Sequence, residues 1–121
     1  MKNLDQIRAY NALQHKDNIA DSKGGGDAIS GFPMLVLTDG LLAALAFACE
    51  WKKQGERKNL GEHTVATAIA SHLHDAQISI SKANDADGLL KELAEEKDDI
   101  LLRRATTESL AFLNYLKRFV A

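Results

Sequence analysis

Nine consecutive apolar residues, Leu41 to Cys49, constrain this chain more than any other stretch. A bilayer crossing needs about 20 such residues, so the run is too short to span a membrane. A helix that is apolar nearly all round must be enclosed by the rest of the chain. Asp39 stands before it as an N-cap, whose side-chain oxygen accepts from an orphan N–H of the first turn. Gly55 follows as a C-terminal stop. The reading is a helix over about 40–54 at the centre of the fold, with Trp51 as a packing residue.

What encloses that helix is also helical. One proline in 121 residues, with alanine and leucine plentiful, favours helix over sheet. Near the C-terminus Phe112, Leu113, Leu116, Phe119 and Val120 recur at spacings of three and four, one apolar stripe on a helix from about Asp98 to Val120. Residues 3–21 read as a first helix, with Ile7, Tyr10 and Leu13 on its buried side. Lys23-Gly-Gly-Gly-Asp27 reads as a flexible loop, since consecutive glycines lose too much backbone entropy to stay helical. Residues 28–38 read as a short helix with Pro33 near its first turn, a strand at Met34–Leu37 being the competing reading. Asn59-Leu-Gly-Glu62 has capping-box spacing and opens a helix over about 60–80 with Val65, Ile69, Leu73 and Ala76 inward. Asn84 or Asp85 caps a short helix to about Glu96 that carries Leu89, Leu90 and Leu93. The expected fold is all-α, a compact single-domain bundle of five to six helices over residues 1–121. A chain of this size buries roughly two-thirds of its unfolded surface, enough for a core without metal or disulfide.

Cys49 is the only cysteine, which excludes an internal disulfide and fits a reducing cytosol. It lies in the apolar run and reads as buried and inert. The polar start, Met1 to Arg8, has no signal-peptide character. The expected location is cytoplasmic, with no membrane partner.

Charge is segregated. The chain carries a net −2, yet residues 84–99 hold seven acids against Lys91 and Lys97. The remainder is therefore basic, with Lys52, Lys53, Arg57 and Lys58 around one helix end and Arg103, Arg104, Lys117 and Arg118 in the last helix. Positioned Lys and Arg contact phosphates without reading bases. Few aromatics are interleaved with them, so base stacking and sequence-specific single-strand recognition are not indicated.

The cluster with most enzymatic character is His63, His72, His74 and Asp75. His74-Asp75 is similar to the metal-binding dyad of HD-type phosphohydrolases, where imidazole and carboxylate hold a water-activating ion. The spacing opposes it. His72 and His74 point about 200° apart on a helix, and His63 and His74 lie roughly 16 Å apart along one. The reading is no catalytic residue, no metal and no cofactor, with exposed polar histidines. A small all-α phosphohydrolase using His63, His74 and Asp75 is the alternative, and a helical adaptor that never meets RNA is another.

Four segments then carry a family resemblance: Asn3-Leu-Asp-Gln-Ile-Arg-Ala9; Gly31-Phe-Pro-Met34 leading into Asp39–Phe47; the helix around Thr64–Leu73; and Thr107–Ala121, which closes in Leu-Lys-Arg-Phe. In this order they resemble the small helical subunit of the Cmr complex, the type III-B CRISPR RNA-targeting effector. Tyr115 departs from that pattern, where Trp is expected in many members. The resemblance implies a non-enzymatic subunit of antiviral defence. Copies of it stack in a filament beside the backbone subunit. Their basic residues help hold guide and target RNA, while base pairing reads sequence and the backbone subunit cleaves. The implied partners are other Cmr subunits, neighbouring small subunits, guide RNA and target RNA. The RNA-binding set is expected among Lys52, Lys53, Arg57, Lys58, Arg103, Arg104, Lys117 and Arg118, with the acidic segment facing away or meeting a basic neighbour.

Overall fold

Asn3 opens the first helix with a complete capping box. Its Oδ1 accepts from the Gln6 N–H at 2.8 Å, and Gln6 Oε1 accepts from the Asn3 N–H at 2.8 Å. The computed structural model describes residues 2–120 and holds six helices. They are α1 (Leu4–Asp21), α2 (Gly25–Asp39), α3 (Leu41–Ala48), α4 (Leu60–His74), α5 (Ala86–Glu95) and α6 (Asp99–Phe119). The only β pairing among the described residues is an isolated Trp51–Arg57 bridge. The all-α bundle is as expected, and Met34–Leu37 is helical. No described helix is long and apolar enough to cross a membrane.

The inner face of α1 is partly polar. Ile7, Ala12 and Ile19 are buried, whereas Tyr10 and Leu13 are 50% and 46% exposed. Arg8, Asn11 and His15 take inward positions that an apolar stripe would fill, which is why the stripe at Tyr10 and Leu13 misleads.

The loop expected at 23–27 is short. Gly24, in the left-handed region at φ +79°, starts α2 directly at Gly25. A Cβ at Gly25 would run into the Ile19 carbonyl, so close packing of α1 on α2 outweighs the glycine entropy cost. Pro33 falls in mid-helix rather than the first turn, at the loss of one intrahelical hydrogen bond.

Asp39 is the last residue of α2 and not the cap of α3. Gly40, at φ +92°, serves both helices: its N–H donates to the Val36 carbonyl at 2.9 Å and its carbonyl accepts from Ala44 at 3.1 Å. The third helix ends at Ala48, six residues earlier than expected. The polar residues beyond it form a tight loop closed by Lys52 N–H to Glu56 carbonyl (2.7 Å) and Lys58 N–H to Glu50 carbonyl (3.0 Å), with Gly55 at φ +86°. Trp51 is 59% exposed there and packs no core.

The centre of the bundle is α4, which touches all five other helices. In α3, Leu41, Ala44, Leu45 and Ala48 are buried but Phe47 is half-exposed. Small residues let α4 sit inside: Gly61, Ala66, Ala68 and Ala70 are buried, and a Cβ at Gly61 would strike the Gly24–Gly25 backbone. Asn59 forms no capping box. Its Nδ2 donates to the Phe47 carbonyl at 2.9 Å and ties the end of α3 to the start of α4. The helix stops at His74 because the chain folds back, with Ile80 and Ser81 N–H both reaching the Leu73 carbonyl at 3.0 Å. That leaves Ala76 exposed. Asp85 and Asp98 cap α5 and α6 through Gly88 (2.6 Å) and Ile100 (3.0 Å).

Candidate functional site

The loop between α3 and α4 gathers the first cationic cluster. Lys52 and Lys53 project into solvent, and Lys58 is exposed beside them. Lys52 lies 4.0 Å from Glu56 and Lys58 3.4 Å from Glu50, exposed pairs of little energetic weight that leave both ammonium groups open to other anions. Lys23, Lys52, Arg57 and Lys58 line a surface groove of about 610 Å³ with the start of α4.

Arg57 differs from the lysines. Its Nη2 donates to Asp87 Oδ2 at 2.6 Å, its Nη1 donates to the Cys49 carbonyl at 2.8 Å, and its guanidinium lies 3.7 Å over the Trp51 ring. Asp87, in the acidic segment, is thereby paired within the chain. Burial raises the Asp87 carboxyl, but hydrogen bonds from Arg57, His63 and Cys49 outweigh it and hold the group below the ordinary range. Glu92, in the same segment, accepts from the Ser81 hydroxyl at 2.7 Å and from the Lys82 and Ala83 N–H groups.

The other cations lie apart from that loop. Arg103 and Arg104 are exposed in the first turns of α6, where Arg103 pairs with Asp99 at 3.2 Å. Both line a second groove of about 410 Å³ with Thr107 and Glu108. Lys117 and Arg118 are exposed in the last turn, roughly 21 Å along the axis from Arg103 and Arg104. The eight residues therefore form three cationic clusters rather than one.

The histidines separate. His63 is half-buried, with Nε2 3.3 Å from Asp87 Oδ2. His74 is exposed and its Nδ1 lies 3.3 Å from the Ser81 carbonyl. Asp75 accepts from Asn11 Nδ2 at 3.1 Å and from the Gln77 N–H at 2.8 Å. His63, His74 and Asp75 do not converge on a common point, so the phosphohydrolase constellation is not assembled. Instead, Cys49, His63 and Asp87 bring their ligand atoms within 4.8 Å of one another. Burial first, then the Asp87 charge, pushes the Cys49 thiol up to about 12.

His72 corrects the expectation of exposed histidines, being only 1% exposed. Its Nε2 lies 2.8 Å from Glu108 Oε2 and its Nδ1 3.0 Å from Asn11 Nδ2. An ionised Glu108 only accepts and the Asn11 amide nitrogen only donates, which fixes the Nε2–H tautomer. The ring stacks on Phe112 with centroids 4.1 Å apart. Arg8 completes the network, donating from Nε and Nη2 to the two Glu108 oxygens at 2.8 Å each. Glu108 and Arg8 escaped the sequence reading. The available signal was a carboxylate at 108 in the same helical row as Ala105, Phe112 and Leu116.

The model of a CRISPR-associated protein family (Cas_Cmr5) matches residues 4–121. The chain belongs to the Cmr5 family. Among solved structures, a CRISPR-associated Cmr5 family protein from Thermus thermophilus is similar at 26% identity and a TM-score of 0.69. The similarity covers 96% of this chain and 95% of that one. No curated protein matches. The family is the one that the four sequence segments resemble, the small subunit of the type III-B Cmr complex.

In this Cmr5 chain the buried network makes stability depend on acid. Burial alone would raise the Glu108 carboxyl. The Arg8 and His72 hydrogen bonds outweigh burial and hold it at about 2, against 4.5 ordinarily. The folded carboxyl is thus the stronger acid. Its stabilisation is fully present above about pH 4.5 and is lost as pH falls toward 2, a change of order 3 kcal/mol. Urea midpoints measured from about pH 6 to about pH 2.5 should fall steeply below about pH 5. In Glu108→Gln the slope should be clearly shallower. Equal slopes in the two proteins would assign the acid sensitivity to other carboxylates.

Proposed function

We propose that this chain is a non-catalytic subunit of a type III-B CRISPR effector. It acts as one helical domain that stacks with its own copies beside the backbone subunit and steadies guide and target RNA through phosphate contacts. Full-length correspondence with the Cmr5 family carries this reading. The residues offered for RNA contact remain Lys52, Lys53, Arg57, Lys58, Arg103, Arg104, Lys117 and Arg118. Exposure leaves Lys52, Lys53 and Lys58 of the α3–α4 loop, like Arg103, Arg104, Lys117 and Arg118 of α6, open to phosphate. Arg57 would contribute mainly by bracing that loop, because its guanidinium is already engaged. Location in the cytoplasm follows from this role.

The test is made on the assembled complex. Replacing Lys52 and Lys53 together with alanine should weaken capture of target RNA severalfold. The slope of log affinity against log salt should become shallower by roughly 1.5, the release associated with two phosphate contacts. Unchanged capture and an unchanged slope would remove this pair from the RNA-facing set. The helical-adaptor reading would gain if the purified chain joined the complex yet no basic variant altered RNA binding.

A further inference from the structure

The convergence of Cys49, His63 and Asp87 has chemistry of its own, independent of RNA. The three come from distant sequence positions and from three helix ends. Cys49 is the C-cap of α3, while His63 and Asp87 lie in the opening turns of α4 and α5. One sulfur, one imidazole nitrogen and one carboxylate oxygen lie within 4.8 Å of one another. Around a four-coordinate zinc ion, with bonds of roughly 2.0–2.3 Å, neighbouring ligand atoms stand roughly 3.3–3.8 Å apart. The His63 Nε2 to Asp87 Oδ2 separation of 3.3 Å already matches one such edge.

We propose that Cys49, His63 and Asp87 form a divalent metal site of the zinc class. A sulfur, nitrogen and oxygen donor set suits a borderline ion and not magnesium or calcium, which require oxygen ligands. On binding, the Cys49 S–H bond breaks, its proton goes to solvent and a thiolate–metal bond forms. The ion keeps its oxidation state, and thiolate plus carboxylate balance its two charges. Asp87 and His63 are only partly covered, which leaves the fourth position to water. Arg57, held by Trp51 and the Cys49 carbonyl, grips Asp87 Oδ2 and orients the carboxylate from outside. Its charge also opposes the ion and moderates affinity. Cys49 and His63 bracket the loop that carries Lys52, Lys53 and Lys58, so a bound ion would clip the two ends of that loop together.

Metal-stripped full-length protein is to be titrated with Zn²⁺ and, as a spectroscopic probe, with Co²⁺. The expected result is one ion per chain, near-ultraviolet thiolate-to-cobalt absorption, and a change in fluorescence of Trp51 with the same stoichiometry. Cys49→Ala should abolish the thiolate absorption. His63→Gln and Asp87→Asn should weaken binding roughly tenfold or more. His63 is half-buried, so its variant serves where the Cys49 variant fails to fold, as judged by circular dichroism. No thiolate absorption in the parent protein overturns the proposal. So does zinc affinity that is the same in the parent and His63→Gln, which would place the ion on other side chains.

Discussion

Replacing Glu108 with alanine is expected to lower folding stability by about 3 kcal/mol, the range seen when one partner of a buried ion pair is removed. The carboxylate satisfies two Arg8 donors and the His72 Nε2–H at once. Without it, a guanidinium whose side chain is only 17% exposed loses its bidentate acceptor, and a buried imidazole keeps an N–H with no partner. Glu108→Gln retains one acceptor oxygen and should cost less, about 1–2 kcal/mol. Urea unfolding followed by far-ultraviolet circular dichroism at neutral pH gives both values. A loss below about 1 kcal/mol for the alanine variant would mean that Arg8 reaches water easily and that the pair adds little, as exposed pairs do.

That network also explains what the sequence could and could not reveal. Helix type was legible in α4, α5 and α6, where apolar residues recur at helical spacing, but Met34–Leu37 of α2 also allowed a strand and Gly25 to Asp27 read as loop. Helix ends were less legible where backbone packing decides them. Gly25 and Gly61 look like breakers, yet each is where one segment presses on the backbone of another. The early end of α3 follows from polar residues after Cys49 that pair among themselves instead of extending the helix.

The candidate sites depend on long-range pairing, which one sequence does not encode locally. Arg8 and Glu108 stand a hundred positions apart, and Cys49, His63 and Asp87 share no short motif. The cluster of Lys52, Lys53 and Lys58 was readable from charge alone, although Lys52 and Lys53 were expected inside a helix over about 40–54 and lie in the loop beyond it. The role of Arg57 as a brace was not, because its carboxylate lies in another helix.

Phe112→Ala is expected to cost about 3–5 kcal/mol. The ring is fully buried, so its removal forfeits transfer energy and leaves a cavity in the bundle. It also removes the face on which His72 stacks, at 4.1 Å and an interplanar angle of 4°. Phe112→Leu keeps most of the volume and should cost much less, about 1–2 kcal/mol. Because Phe112 and Glu108 act on the same imidazole from two sides, their effects should not add. A double-mutant cycle between the alanine variants should give a coupling of about 1 kcal/mol, whereas independent sites add within about 0.5 kcal/mol. If the cycle closes additively, the stacked ring and the ion pair are separate supports, and His72 does not join the polar network to the apolar core.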